Sequence, residues 1–595
     1  MAHIPQLTTV IGVVIALSSS SIVKSPSSND GTFELLILHN NDMHARFEQT
    51  SQLSGACSTA DRDAGKCYGG FPRVAHVVKE ARKAAASGEG PPVLYLNAGD
   101  TYTGTAWFTI YKWKIAAEFL NALQPDAVSL GNHEFDNGPS GLIPFIANLT
   151  CPNLASNLIL DDEPDLKAEP NLRNSVIFNL NGVKVGVIGY LTPDTKFLSK
   201  RNYVKYKDEV IAIRSEVQKL RSEGVNILIA LGHSGFSKDL EIAKEVEDID
   251  LVIGGHTNTF LWNGPVPDSE IAQGPYPMIV KQVSGRKVPV VQAYAYTKYL
   301  GYLHLLFDSQ GEILTISDNN PILLNSSIPQ DPELSSIVNK YRGEVMKVSQ
   351  TTIGSTSVLL DGQSCRLREC NMGNLITDAI VHKYASIYTG KGWTDTPIAF
   401  VQGGGIRASI SHADQSISIT RGDLLTVMPY DDSVVKVALN GSEVRKMLEH
   451  SVSEYNFVRA PGQFLQVSGI KIEYDFNKSP GQRVAKVLAL CGHCEIPIYS
   501  PLNDSAIYNI LINGFLLMGG DGFSIFTNKS AFYLNFNDLS ATHEYVNKTS
   551  PVYPAIEGRI VIYNVEALSI ANKKSNSIFL LFSLVLGSKL LSWSY

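Results

Sequence analysis

The 595-residue sequence has no excess of positive charge: 50 Lys and Arg stand against 57 Asp and Glu, a net charge of -7. No polybasic face is on offer, which argues against a nucleic acid polymer as partner. Internal repeats and low-complexity tracts are missing too, so the chain reads as ordinary globular domains, 44% hydrophobic and 18% charged. Cysteine is scarce at seven residues. Only Cys491-Gly-His-Cys494 has CxxC spacing, that of half a zinc site or of a redox pair, and without a second such pair zinc is not favoured there. Cys57 with Cys67, Cys365 with Cys370 and Cys491 with Cys494 are local pairs that could close as disulfides in an oxidising compartment, leaving Cys151 odd.

Two apolar runs mark the ends. Leu7 to Val23, closing on Ser18 to Ser21, has the h-region and small-residue exit of a signal peptide, although no Lys or Arg precedes it. Ile578 to Trp593 is interrupted by Lys589 and falls short of the about 20 residues a spanning helix needs. Ser569 and Ala571, then the polar stretch 572–576, then this tail read as a GPI attachment signal rather than a plain membrane anchor. Sequons at Asn148, Asn325, Asn440, Asn477, Asn503, Asn528 and Asn547 agree with secretion, Pro480 weakening the one at Asn477. The expected location is the outer face of the plasma membrane.

At about 150 residues per domain, the length calls for at least two. From Phe33 to Asp308 short apolar runs alternate with amphipathic stretches. Residues 33–38, 93–96, 127–130, 183–189, 227–231 and 251–253 read as buried strands. Between two of them, Val210, Ile213, Val217 and Leu220 form one stripe of a helix over 208–223. This is an α/β layer architecture. A break at 320–332 leads into a helical segment, and from Thr351 to Tyr563 a second mixed domain follows, with Val444, Met447, Leu448 and Val452 on one helix face.

Polar motifs sit directly after the apolar strands: Asp42-Met-His44, Gly99-Asp100, Gly131-Asn132-His133-Glu134-Phe-Asp136, Gly232-His233 and Gly254-Gly255-His256-Thr-Asn258. In open α/β sheets the carboxyl ends of strands face the ligand crevice, so five motifs share one rim. A single His at a strand end is more often a satisfied hydrogen-bonding residue; five such groups together overturn that reading. Carboxylates, imidazoles and an amide, with no thiolate, suit zinc, manganese or iron, and the set is too large for one tetrahedral ion. Two ions sharing an aspartate is the economical arrangement, one that suits phosphoryl chemistry.

In this order, and followed by a second domain, these motifs resemble the calcineurin-like metallophosphoesterases of the ecto-5'-nucleotidase and apyrase family, from about Phe33 to Ile562. The resemblance implies a layered α-β-β-α phosphoesterase domain at 31–330 and a helical linker at 331–350. A smaller α/β nucleotide-binding domain follows at 351–563, with 1–30 and 564–595 as processing segments. It implies that Asp42 and His44 hold one ion, Asp100 bridges, and Asn132, His233 and His256 hold the other. Asn258 falls near the first ion, and His133 with Asp136 forms the catalytic dyad. Arg46 is a further candidate cation at the phosphate.

For the second domain, the resemblance implies Arg366, Gln402, Arg407, Tyr430, Phe515 and Asp521 as substrate contacts, the aromatics stacking on a base and Asp521 holding ribose hydroxyls. Two departures stand out: Gln402 replaces the usual Asn, and Tyr430 the usual Phe, leaving a hydroxyl that needs a partner. Asp431 and Asp432 add negative charge beside an anionic substrate. The expected reaction is extracellular hydrolysis of a nucleoside 5'-monophosphate, AMP first, with two divalent ions, zinc before manganese. An apyrase cleaving ATP and ADP is the nearest alternative, and a catalytically silent nucleotide-binding glycoprotein is the alternative of another class, opposed by the complete ligand set. The resemblance also implies a homodimer.

Overall fold

The computed structural model describes residues 31–564 apart from 200–201, 318–319, 412–416, 458–459 and 528. The N-terminal apolar run, the C-terminal tail and Asn528 lie outside the described residues. In chain order the elements that build the first half are β1 (Phe33–Asn40), α1 (Phe71–Ser87), β2 (Val93–Asn97), α2 (Trp113–Leu123), β3 (Ala127–Ser129), β4 (Val183–Leu191), α3 (Glu209–Ser222), β5 (Ile227–His233), α4 (Phe236–Glu245), β6 (Leu251–Ile253), β7 (Lys287–Val291) and β8 (Tyr299–Phe307).

β1, β2 and β3 run parallel in one sheet, with β8 antiparallel along the other edge of β1. β4, β5, β6 and β7 run parallel in a second. The period-two alternation of β1 builds both layers of packing. Leu35 and Ile37 enter a core shared with Val187, Ile229 and Leu231 of the second sheet, whereas Leu36 and Leu38 face Phe71, Val74 and Phe119 of α1 and α2. On the far side, α3 buries Val210, Ile213, Val217 and Leu220, the stripe read from sequence; Asp208 caps it by accepting from the Ile211 N–H. The result is the expected α-β-β-α layering. All six expected strands form; four run one or two residues further than the apolar run because the residues that follow also pair, and the strand at 127–130 stops at Ser129.

A long helix, α5 (Pro332–Ser349), leads to the second half and buries Leu334, Val338 and Val345 in the α1–α2 core. There α6 (Asn371–Ile387) and α7 (Gly441–Ser451) pack on opposite faces of a five-stranded sheet. Its strands include β9 (Ile398–Gln402), β10 (Ser433–Asn440) and β11 (Leu465–Ser468). Each face has its own core: Phe400 packs with Val444, Met447 and Leu448 on one side, while Ala399 and Val401 pack with Ile376 and Ile380 on the other. The three cysteine pairs are disulfides with Cα separations of 6.0, 5.0 and 6.0 Å, and Cys151 is free and buried. Among the described residues no helix is long and apolar enough to cross a membrane.

The loop after β1 rests on aromatics. Phe47 stacks on Phe119 at 4.4 Å and meets Phe71 at 4.9 Å and Trp107 at 5.9 Å. Phe119→Ala removes the ring at the centre of this group and should destabilise the N-terminal half by about 3–5 kcal/mol. Thermal and denaturant unfolding check it; a loss under about 1 kcal/mol would mean that the cluster does not carry this core.

Candidate metal centre and substrate cleft

All the expected ligands end at one rim because each parallel strand stops there and the chain turns sharply. Asp42, His44, Asp100, His256 and Asn258 have φ of 50, 47, 57, 78 and 51°, left-handed values that side chains rarely adopt. Such strain persists only where the surroundings over-determine it, and it concentrates at functional sites. The loops after β2 and β3 are nearly in contact: a Cβ on Gly99 would lie 2.5 Å from the Gly131 nitrogen, and one on Gly131 2.2 Å from Asp100 Oδ1. Only glycine passes at these two positions.

Asp100 Oδ2 is the focus. It lies 2.9 Å from His233 Nε2, 3.8 Å from His44 Nε2 and 4.0 Å from His133 Nε2. Asp42 Oδ1 lies 3.7 and 3.8 Å from the Nε2 atoms of His44 and His233. Both His44 and His233 are aimed by their other nitrogen. His44 Nδ1–H donates to Thr103 O at 2.9 Å, leaving a lone pair on its Nε2, and His233 Nδ1–H donates to Ala98 O at 2.7 Å, turning its Nε2 to Asp100. His256 Nδ1 lies 2.9 Å from Asn132 Oδ1.

The donor set fits divalent ions. Ligand atoms of His44, Asp100 and His133, and of Asp100, His233 and His256, each fall within 4.8 Å of one another. Asp42 Oδ1 and Asn258 Oδ1 are buried with no hydrogen-bond partner, an arrangement that is costly unless a cation meets them. Burial pushes His44 and His256 down to about 4, so both are neutral, as metal ligands must be. Burial also pulls on His233, but Asp100 and Asp42 outweigh it and hold it up to about 10. The carboxylates demand positive charge and draw it from the nearest imidazole.

His133 belongs to the same rim. Burial lowers it, but Asp136, at 2.9 Å from Nδ1, and Asp100 hold it up to about 9. Across the cleft, Tyr430 stacks on His133 at 5.0 Å and 12°, its hydroxyl 3.4 Å from Nε2. That is the partner the sequence left open for the phenol. Arg407 Nη2 donates to His44 Nε2 at 3.0 Å. Arg366 Nη1 reaches Ala460 O at 3.3 Å, and buried Gln402 accepts from Asn513 Nδ2 at 3.0 Å. Phe515 lies against Gly520, and Asp521 sits beside Gly404 and Gly462.

Two expectations change. Arg46 does not face the rim: its Nη1 donates to the carbonyls of His44 at 2.9 Å and Gly104 at 2.6 Å, and its guanidinium lies 4.5 Å over Tyr296. Its charge fixes the backbone of the first loop. Asp432 adds less negative charge than its sequence position suggests, because burial and Asp136 push its carboxyl up to about 7; neighbouring Asp538 is raised well above the usual range.

Three residues escaped the sequence reading. Glu134 Oε2 accepts from the N–H groups of Gly131 at 2.7 Å and Asp100 at 3.0 Å, while Oε1 accepts from Thr101 at 2.7 Å. One carboxylate thus ties the loops after β2 and β3 together, and its place in the Gly-Asn-His-Glu motif was the available signal. Asn41 donates to Asp42 Oδ2 at 2.7 Å. Tyr296, on the loop after β7, underlies both Arg46 and Arg407. β7 was not among the expected strands, so its rim loop went unread.

Fold and rim together define a metal-dependent phosphoric monoester hydrolase of the calcineurin-like type. Residues 35–260 match the calcineurin-like phosphoesterase family, and residues 352–528 match the 5'-nucleotidase C-terminal domain. The chain is 44% identical to the 5'-nucleotidase of Bos taurus over 534 residues, covering 89% of this chain and 91% of that one. It is 43% identical to the 5'-nucleotidase of Homo sapiens over 544 residues, covering 89% and 91%. A solved 5'-nucleotidase precursor from Thermus thermophilus superposes with a TM-score of 0.78 at 32% identity, covering 89% of this chain and 100% of that one. The chain belongs to the 5'-nucleotidase family.

Glu134→Gln replaces an acceptor by an amide whose NH2 faces backbone N–H groups. Metal affinity should fall about 10- to 100-fold, read by competition with a chelator. Unchanged affinity in a stably folded variant would remove Glu134 from the support of Asp100.

Proposed function

We propose that the protein hydrolyses nucleoside 5'-monophosphates to nucleoside and phosphate outside the cell. What carries the reading is the facing of two half-sites: the His133–Asp136 dyad and His44 on one domain, Tyr430 and Arg407 on the other, with Tyr430 stacked on His133 and Arg407 hydrogen-bonded to His44. Asp42, His44 and Asp100, with Asn258 nearby, would hold one divalent ion, and Asp100, Asn132, His233 and His256 the other, zinc being our choice over manganese from the imidazole-rich set. When bound, such a pair polarises phosphoryl oxygens and acidifies water.

The chain's own groups do the rest. His133, protonated with Asp136 holding its Nδ1–H, presents a cationic donor to phosphoryl oxygen as charge grows there. Arg407 offers a planar fork suited to a phosphate. Tyr430 and Phe515 are read as the base clamp, Gln402 as a base contact, Arg366 as an anion contact, and Asp521 as the acceptor of ribose hydroxyls. The GPI tail and the homodimer rest on the sequence reading and family resemblance.

The test is phosphate release by the purified ectodomain, residues 31–563, loaded with zinc or manganese and given AMP, ADP, ATP or UMP, beside His133→Ala. Release from monophosphates, with kcat about 10²–10³-fold lower in a variant that keeps its metal, is the expected result. Release from ATP and ADP that stops at AMP makes the protein an apyrase; metal-loaded protein silent on every substrate makes it a binding protein.

A pH dependence follows for Asp521. Burial raises its carboxyl to about 6 against the pull of Arg366, His450 and Arg407. The ionised form accepts ribose hydroxyls, so affinity falls as pH drops through that value. KM for AMP should rise by up to about tenfold at about pH 5 relative to KM for 2',3'-dideoxy-AMP, which shares the phosphate titration but lacks the ribose hydroxyls. Parallel pH profiles for the two substrates would refute the assignment.

A further inference from the structure

Asp521 occupies a turn that its own side chain disfavours. It has φ 50° and ψ 27°, left-handed values, within the run Gly519-Gly520-Asp521-Gly522. That conformation turns its carboxylate toward two other turns: Oδ2 lies 3.0 Å from a Cβ position on Gly462 and 3.4 Å from one on Gly404. The Gly404 N–H in turn donates to Gly462 O at 2.9 Å. Among the described residues no side-chain hydrogen bond is made to either Asp521 carboxylate oxygen, so both are open to a ligand.

The left-handed peptide is held from outside by one imidazole. His450, the penultimate residue of α7, has Nε2 2.8 Å from the Asp521 carbonyl oxygen. A carbonyl only accepts, so His450 carries its proton on Nε2. The ring is wedged: it meets Phe523 edge-on at 4.6 Å and 79°, and its Cε1 and Nε2 lie 3.1 and 3.2 Å from a Cβ position on Gly522. Its backbone is fixed as well, the His450 carbonyl accepting from Gln463 Nε2 at 2.9 Å and Ser453 Oγ at 2.9 Å. Among the described residues no hydrogen bond runs from His450 to a residue of the metal rim.

We propose that His450 is a positioning residue for the nucleoside: by donating to the Asp521 carbonyl it holds the turn that aims the Asp521 carboxylate at the ribose diol, and so sets the preference for a ribonucleotide. The proposal rests on the reading of Asp521 as the ribose acceptor. It predicts an effect on the sugar alone, because the dyad and ligand set belong to the other domain.

The experiment measures kcat and KM of the metal-loaded ectodomain on AMP, 2',3'-dideoxy-AMP and p-nitrophenyl phosphate. His450→Phe and His450→Leu delete the donor in two ways, so one folded deletion, verified by its melting temperature, suffices. Either should lower kcat/KM for AMP about tenfold, through KM, and leave the other two substrates within about twofold. His450→Gln, whose amide N–H can reach the same carbonyl, should keep the AMP-to-dideoxy ratio within about threefold of the starting protein. A deletion that preserves the ratio, a deletion that depresses all three substrates together, or a Gln variant that loses the ratio as fully as Phe overturns the proposal. Asp521→Asn separates the layers: if it keeps the ratio, the ribose reading itself fails; if it abolishes the ratio while the His450 deletions do not, only the role of His450 fails.

Discussion

The buried carboxylate of Asp100 is the constraint around which the rim is arranged. Its Oδ2 gathers three imidazoles within 4.0 Å, while Oδ1 accepts from the His133 N–H at 2.9 Å and its own N–H is held by Glu134. Charge of one sign taken out of water must be matched locally. Here the matching charge comes from whatever cation is at hand, which is why His233 is held protonated while His44 and His256 are neutral. The left-handed turns, the close passage at Gly99 and Gly131, and the aromatic bed under Phe47 all serve to keep that carboxylate fixed.

Much of this was legible in the sequence, for a definite reason. A parallel strand buried on both faces is a nearly pure apolar run, so its end is sharp, and the polar residues that follow fall at the ligand edge by topology alone. Asp42, His44, Asp100, Asn132, His233 and His256 could be found that way because each lies within a few residues of such an end. The α3 helix was legible because its stripe and its Asp208 cap are local.

What stayed hidden depends on contacts between distant segments. Arg46 looks like a phosphate ligand four residues after Asp42, but the carbonyls that claim it belong to His44 and Gly104, the latter 58 residues away. Asp432 looks like an added negative charge, but the groups that hold its proton on include Asp136 of the other domain. Tyr296 follows a short strand, β7, that the apolar pattern did not flag. Sequence spacing reports strand ends well and reports the environment of a charge poorly, because burial and neighbours are set by packing.

The split of the site between two cores gives one imidazole lone pair an unusual burden. His44 Nδ1–H is committed to Thr103, so Nε2 can only accept, and in this arrangement it accepts from Arg407 of the second domain. A lone pair serves one partner at a time, so Arg407 and a metal ion are alternatives at that atom. An arginine released from His44 keeps its charge and remains at the cleft, where an anionic phosphate is the partner that can hold it. On the proposed roles of His44 as a metal ligand and Arg407 as a phosphate contact, metal occupancy and phosphate recognition are linked through a single nitrogen.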